Sequence, residues 1–144
     1  QKSFIDQGGT VKARERFTGG TTAKLADAKR YGAVKAVDPL TGETRAQFRV
    51  QYPNYGGMLA TAGNLVFNGG VDGTFHALDA RTLKELWSFN AGSGINAPPM
   101  TFEVGGKQYL AIMTGLSLIS KGRLGLTPEL SEMRNQTMLF VFAL

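Results

Sequence analysis

Apolar residues in this chain come in short runs of roughly five to eight, each closed by Gly, Pro, Asn, Asp or Thr, the pattern of brief strands separated by tight turns. Strands are expected at about 31–37, 44–50, 57–61, 64–69, 73–78, 85–90, 98–104, 107–114 and 137–144. Ala62-Gly63-Asn64, Asp72-Gly73 and Gly105-Gly106 sit where hairpin turns belong. Only residues 120–135 have a helical look, with Pro128-Glu129 opening an apolar-spaced stretch that runs to Met133.

The strand pattern repeats. Gly32-Ala33-Val34-Lys35-Ala36-Val37-Asp38-Pro39-Leu40-Thr41-Gly42 aligns with Gly73-Thr74-Phe75-His76-Ala77-Leu78-Asp79-Ala80-Arg81-Thr82-Leu83 at a constant offset of 41, and the match continues to Phe48 and Phe89. The shared skeleton, Gly-x-x-x-Ala-x-Asp-x-x-Thr, describes a strand ending in a turn. Its Ala permits close packing, its Asp accepts backbone N–H groups across the turn, and its Thr adds a hydroxyl. Gly42 supplies the positive φ that such turns favour; Leu83 replaces it in the second copy, whose turn is therefore expected to differ slightly.

A period near 40 with about four strands per repeat points to a β-propeller rather than a sandwich. Closing the smallest propeller takes about 160 residues, and the chain has 144. Residues 31–50 supply strands C and D of one blade, 57–90 supply A to D of the next, and 98–114 with 137–144 supply A to C of a third. The fold class is thus all-β, a partial β-propeller of about two and a half to three four-stranded blades. An unpaired apolar strand edge invites aggregation, so completion by another polypeptide is expected.

Composition agrees with a turn-rich β protein: Gly accounts for 19 residues of 144, and charged residues for only 19%. With no cysteine, a disulfide framework or thiolate metal site is excluded. No apolar run approaches the ~20 residues of a bilayer-spanning helix, so no membrane span is expected and the protein should be soluble. The net charge of +5 is concentrated in residues 1–35, which hold eight of the sixteen Lys and Arg against Asp6, Glu15 and Asp27. Few aromatics interleave those charges, Phe4 and Phe17 and, near the end of the segment, Tyr31, which argues against a base-stacking nucleic-acid surface. Residues 1–30 are expected to form a basic, irregular or partial-blade segment, followed by propeller blades over 31–144 with a loop or short helix at about 116–136.

Three stretches carry a family resemblance. Asn54-Tyr55-Gly56-Gly57-Met58-Leu59-Ala60-Thr61-Ala62-Gly63-Asn64, Asp72-Gly73-Thr74-Phe75-His76-Ala77-Leu78-Asp79 leading to Leu86-Trp87, and Gly92-Ser93-Gly94-Ile95-Asn96-Ala97-Pro98-Pro99-Met100-Thr101 resemble, in order and spacing, the C-terminal part of the large subunit of the quinoprotein alcohol dehydrogenases. These are the methanol and ethanol dehydrogenases that depend on pyrroloquinoline quinone (PQQ). The resemblance implies an eight-bladed quinoprotein propeller in the periplasm, with PQQ on its axis beside a calcium or lanthanide ion. It also implies oxidation of primary alcohols or aldehydes, with electrons leaving to a cytochrome c. The partners implied are a larger chain carrying the remaining blades, that cytochrome c and a small alcohol substrate. The family's metal ligands and catalytic carboxylate lie earlier in its large subunit, so neither a catalytic residue nor a metal ligand is assigned in this chain.

Two of the family's cofactor-contact positions map onto this chain. Before its Gly-Gly pair the family usually has a Trp near the quinone; here Tyr55 takes that place with Gly56 beside it, and Asn54 is near enough to donate a hydrogen bond. Where the methanol enzymes have Gly-Gly-Trp after the position of Gly115, this chain reads Ser117-Leu118-Ile119, replacing the aromatic. Trp87 falls at the Trp of the family's blade-docking motif, where the first repeat has Ala46, and should pack between blades. His76, the sole histidine, is expected on a strand surface or in packing. A non-catalytic propeller built from the same repeat, acting as a binding or scaffold module, remains the alternative.

Overall fold

Both copies of the skeleton form the same strand–turn–strand unit in the computed structural model, which describes residues 3–6, 20–23, 31–116 and 127–144. In the first copy β3 (Gly32–Val37) returns as β4 (Thr44–Val50); in the second β7 (Thr74–Asp79) returns as β8 (Glu85–Asn90). Asp38 Oδ1 accepts the backbone N–H groups of Leu40 (2.9 Å) and Thr41 (3.2 Å). Asp79 Oδ1 accepts those of Arg81 (3.0 Å) and Thr82 (2.8 Å), and the Thr82 hydroxyl at 2.9 Å. Each ladder shifts register just after the skeleton's Ala, between Ala36 and Val37 and between Ala77 and Leu78.

The expected difference between the two turns does not occur. Gly42 has φ +73° and Leu83 φ +54°, and the N–H of each donates to the carbonyl of its Asp at 2.8 Å. A left-handed backbone costs a side-chain-bearing residue roughly 1–2 kcal/mol. Leu83 offsets this by burying its side chain, 3% exposed, against Val34 and Leu78. Burial of a leucine is worth about 1.5–3 kcal/mol, so packing overrides the backbone preference for Gly.

The turn carboxylates make folding pH-sensitive. Asp38 lies below the usual carboxylate value of 3.8 chiefly through its bond to the Arg45 guanidinium at 3.0 Å, then through the N–H groups of Leu40 and Thr41. Asp79 is lowered chiefly by the Thr82 N–H, then by the Thr82 hydroxyl. A carboxyl that ionises more readily folded than unfolded contributes stability that is fully present above its unfolded value and lost as the pH falls through its folded one. Stability should therefore decline as the pH drops below 3.8. Asp38→Asn and Asp79→Asn should each flatten that decline, as read from urea midpoints across the acid range.

Strands β5 (Met58–Ala60) and β6 (Leu65–Gly69) precede β7 and β8 to complete a four-stranded antiparallel sheet in chain order. Strands β3 and β4 form a two-stranded sheet, and β9 (Met100–Val104), β10 (Lys107–Met113) and β11 (Leu139–Ala143) a three-stranded one. The strands are thus C and D of one blade, A to D of the next and A to C of a third. Among the described residues between β10 and β11 there is one 3-10 turn, Pro128–Leu130. A separate unit, residues 1–30, contains the antiparallel pair β1 (Ser3–Asp6) and β2 (Gly20–Ala23).

Alternation along β7 divides the core in two. Phe75 and Ala77 join Phe67, Ile95, Leu110 and Ile112 between the second and third blades, while Leu78 joins Val34 and Leu83 between the first and second. The D-strand Phe of each repeat then meets an aromatic of the following blade edge-on. Phe48 meets His76 at 5.1 Å, and Phe89 meets Phe140 at 5.4 Å. His76 is thus an inter-blade packing residue, with Nδ1 2.5 Å from Glu85 Oε2. Trp87 packs edge-on against Phe142 of the third blade at 5.5 Å.

Candidate cofactor face

Strand direction alternates within a blade, so the starts of A and C and the ends of B and D lie at one end of each sheet. The connections 51–57, 70–73, 91–99 and the long excursion after Met113 consequently gather at that end. Backbone bonds tie them together. Ile95 N–H donates to Gly70 O (2.9 Å), Ala91 N–H to Gly73 O (2.9 Å) and Gly115 N–H to Gly94 O (2.7 Å). Ile95 and Gly115 form a parallel bridge linking the second blade to the third.

Asn54, Tyr55 and Gly56 occupy the first of these loops, all half-buried. Gly56 lies directly on the end of β6: a Cβ there would stand 2.3 Å from Gly69 O and 3.1 Å from Ile95 O. Asn54 Nδ2 donates to Asn68 Oδ1 at 2.9 Å, and Asn68 Nδ2 returns a bond to Asn54 Oδ1 at 3.4 Å. The structure therefore brings Asn54, Tyr55 and Gly56 together against the second blade; Ser117 and Leu118 lie outside the described residues. The backbone leading towards them is held. The Thr114 hydroxyl donates to Gln136 O (2.8 Å), and Leu116 N–H donates to Asn135 Oδ1 (2.7 Å). Fully buried Ser93 both donates to Gln136 O (2.9 Å) and accepts Gln136 N–H (3.0 Å).

Sequence reasoning missed Asn68, Ser93 and Asn135. Asn68 did leave a signal: an amide inside the apolar strand Leu65-Val66-Phe67-Asn68-Gly69 needs a partner. In loops 51–57, 70–73 and 91–99 the sole charged side chain is Asp72, whose carboxylate accepts the Thr74 N–H (3.2 Å) and hydroxyl (3.0 Å). Among the described residues no three of His, Cys, Asp and Glu gather to hold a metal. The chemistry of these three loops is largely uncharged: an aromatic ring, close-packed glycine backbone and amides, while the excursion after Met113 adds the exposed Glu129, Glu132 and Arg134.

The family profile described as "Glucose/ethanol/alcohol dehydrogenase, beta-propeller domain", a PQQ family, matches residues 20–110. The chain belongs to that family of quinoprotein dehydrogenase propellers. It is 42% identical over 149 aligned residues to quinohemoprotein alcohol dehydrogenase ADH IIB of Pseudomonas putida, which covers 98% of this chain and 21% of that protein. It is 49% identical over 84 residues to a quinoprotein ethanol dehydrogenase of Pseudomonas aeruginosa, covering 58% of this chain and 14% of the relative. Among solved structures, a europium-containing methanol dehydrogenase superposes with a TM-score of 0.72 at 30% identity, covering 82% of this chain and 24% of the other. The chain thus spans about a fifth of the length of ADH IIB.

Proposed function

We propose that these residues are the C-terminal blades of a periplasmic PQQ-dependent alcohol dehydrogenase, and that they complete its propeller and form one wall of the PQQ site. The enzyme oxidises primary alcohols or aldehydes and passes electrons to a cytochrome c. A larger chain carries the remaining blades together with the ligands of a calcium or lanthanide ion. Supporting this, β11 pairs among the described residues only with β10, and the third blade's far side exposes Met100, Val104 and Leu139. Further blades would bury both features.

The observation that carries the reading is Tyr55, set half-buried beside Gly56 and Gly57 in a loop with no charged side chain, in a chain of this family. A planar quinone needs a flat surface and room for close approach. An aromatic ring beside glycine backbone fits that need, and the Tyr hydroxyl adds a polar handle. PQQ, when bound, supplies the acceptor for hydride from the alcohol. The residues of this chain bind and orient it: Tyr55 as a stacking wall, with Asn54 and Gly56 fixing the loop that carries the ring. The close packing of Gly56, Gly69 and Ile95 keeps water from the back of that wall.

Native mass spectrometry with absorption spectroscopy on the purified protein tests this. A larger assembly with bound quinone and metal, whose quinone band changes on adding a primary alcohol, is the expected result. A lone chain that takes up no PQQ in the presence of calcium or a lanthanide would overturn the proposal and leave a scaffold propeller.

A further inference from the structure

One fully buried polar side chain near the proposed wall belongs to none of the residues assigned to it. Asn68 is 0% exposed within β6, in the middle of the complete blade. Its neighbours on the strand are apolar, and its amide is satisfied by a residue 14 positions away. Burying two facing amides is worthwhile only if both are paired, since each left unpaired costs about 1–3 kcal/mol. A matched pair of aliphatic side chains would fill the same space without that liability. What the amide pair adds is direction: a two-point, reciprocal contact fixes the angle of approach as well as the distance.

The loop is fixed at consecutive points along one strand. Asn54 is held by Asn68, and Gly56 abuts the carbonyl of Gly69. Tyr55 lies between these two points, tethered on one side by the Asn54–Asn68 pair and backed on the other by the close approach of Gly56 to Gly69 O. Gly57 against Pro98 continues the seam on the other side, where a Cβ would fall 2.6 Å from the proline ring.

We infer that Asn68 is a positioning residue for the quinone: through Asn54 it sets the height and tilt of Tyr55 at the cofactor face. This rests on the reading of Tyr55 as a wall of the PQQ site. Asn68 itself touches no cofactor; it acts through the loop.

The test uses the complete propeller, stripped of PQQ, with calcium or a lanthanide present. PQQ binding is followed by quenching of protein fluorescence, and stability by urea unfolding. Asn68→Leu leaves Asn54 unpaired and should lower both stability and PQQ affinity. The double variant Asn54→Leu/Asn68→Leu removes both amides, a change that can be nearly neutral for stability. It should recover most of the unfolding midpoint yet still bind PQQ about tenfold more weakly, as loss of supporting residues does at metal sites. If PQQ affinity returns together with stability, the pair is packing alone and the inference fails. Asn54→Ala, which cuts the link from the half-buried side, provides a second arm: lowered affinity is expected, and unchanged affinity overturns the inference. Tyr55→Ala separates the two levels. If it weakens PQQ binding while the Asn variants do not, only the positioning role falls. If it leaves binding unchanged, the wall reading itself falls, and the inference with it.

Discussion

Phe75→Ala should destabilise the protein by about 3–5 kcal/mol, the range for removing a fully buried phenylalanine. The ring is 0% exposed and lies between two blades rather than within one. It stacks on Phe67 of its own sheet at 5.8 Å and on Phe142 of the third blade at 6.4 Å, and Trp87 meets it edge-on at 6.4 Å. Truncation would open a cavity lined by β strands whose backbones are pinned by ladder bonds on both sides, so collapse around the gap is restricted. Phe75→Leu, which keeps most of the volume, should lose well under half as much. Urea unfolding of the protein checks both. A loss under about 1.5 kcal/mol for the Ala variant would show that the second and third blades do not depend on this ring for their association.

The repeat that exposed the fold in the sequence also explains why its core was easy to place. An offset of 41 carries Ala36 onto Ala77, and the structure pairs these with Ala46 and Trp87 at the same point of each ladder, one residue before the same register shift. Strand alternation then assigns faces with no further information: Phe75 to one neighbour, Leu78 to the other. Where the reading failed, a long-range contact had overruled a local rule. Leu83 was expected to change its turn because Gly is the local choice for positive φ, but a pocket formed by Val34 of another blade holds it there.

The candidate site was legible only in part for a related reason. Tyr55 and Gly56 could be picked out because the family motif names them. Asn68, Ser93 and Asn135 act through bonds spanning 14, 43 and 19 residues, and one sequence records that a polar group is present but not which partner satisfies it. Ser117 and Leu118, assigned by the same resemblance, fall outside the described residues, so on that side the structure speaks only for the clamp at Thr114 and Leu116.

Gly56→Ala should separate the wall from the fold most sharply. The added methyl would stand 2.3 Å from Gly69 O, whereas ordinary contact begins at 3.4 Å, so the loop must retreat by about 1 Å. The obstructing atoms, Gly69 O and C and Ile95 O, are all backbone, and none can swing aside as a side chain would. Gly56 is not among the positive-φ residues, so the obstacle is space rather than conformation. Overpacking of this kind costs about 1–3 kcal/mol of stability. The larger effect falls on function: a 1 Å misplacement of a positioning element can lower turnover about 100-fold. Steady-state alcohol oxidation at saturating PQQ, alongside a urea midpoint, measures the two together. Gly42→Ala is the matched control, since no atom lies within 4 Å of its added carbon and φ is +73°. It should cost about 1 kcal/mol through backbone strain alone and leave turnover at the parental level. If Gly56→Ala also keeps parental turnover, the 54–57 loop is not a wall of the quinone site, whatever its packing contributes to the blade.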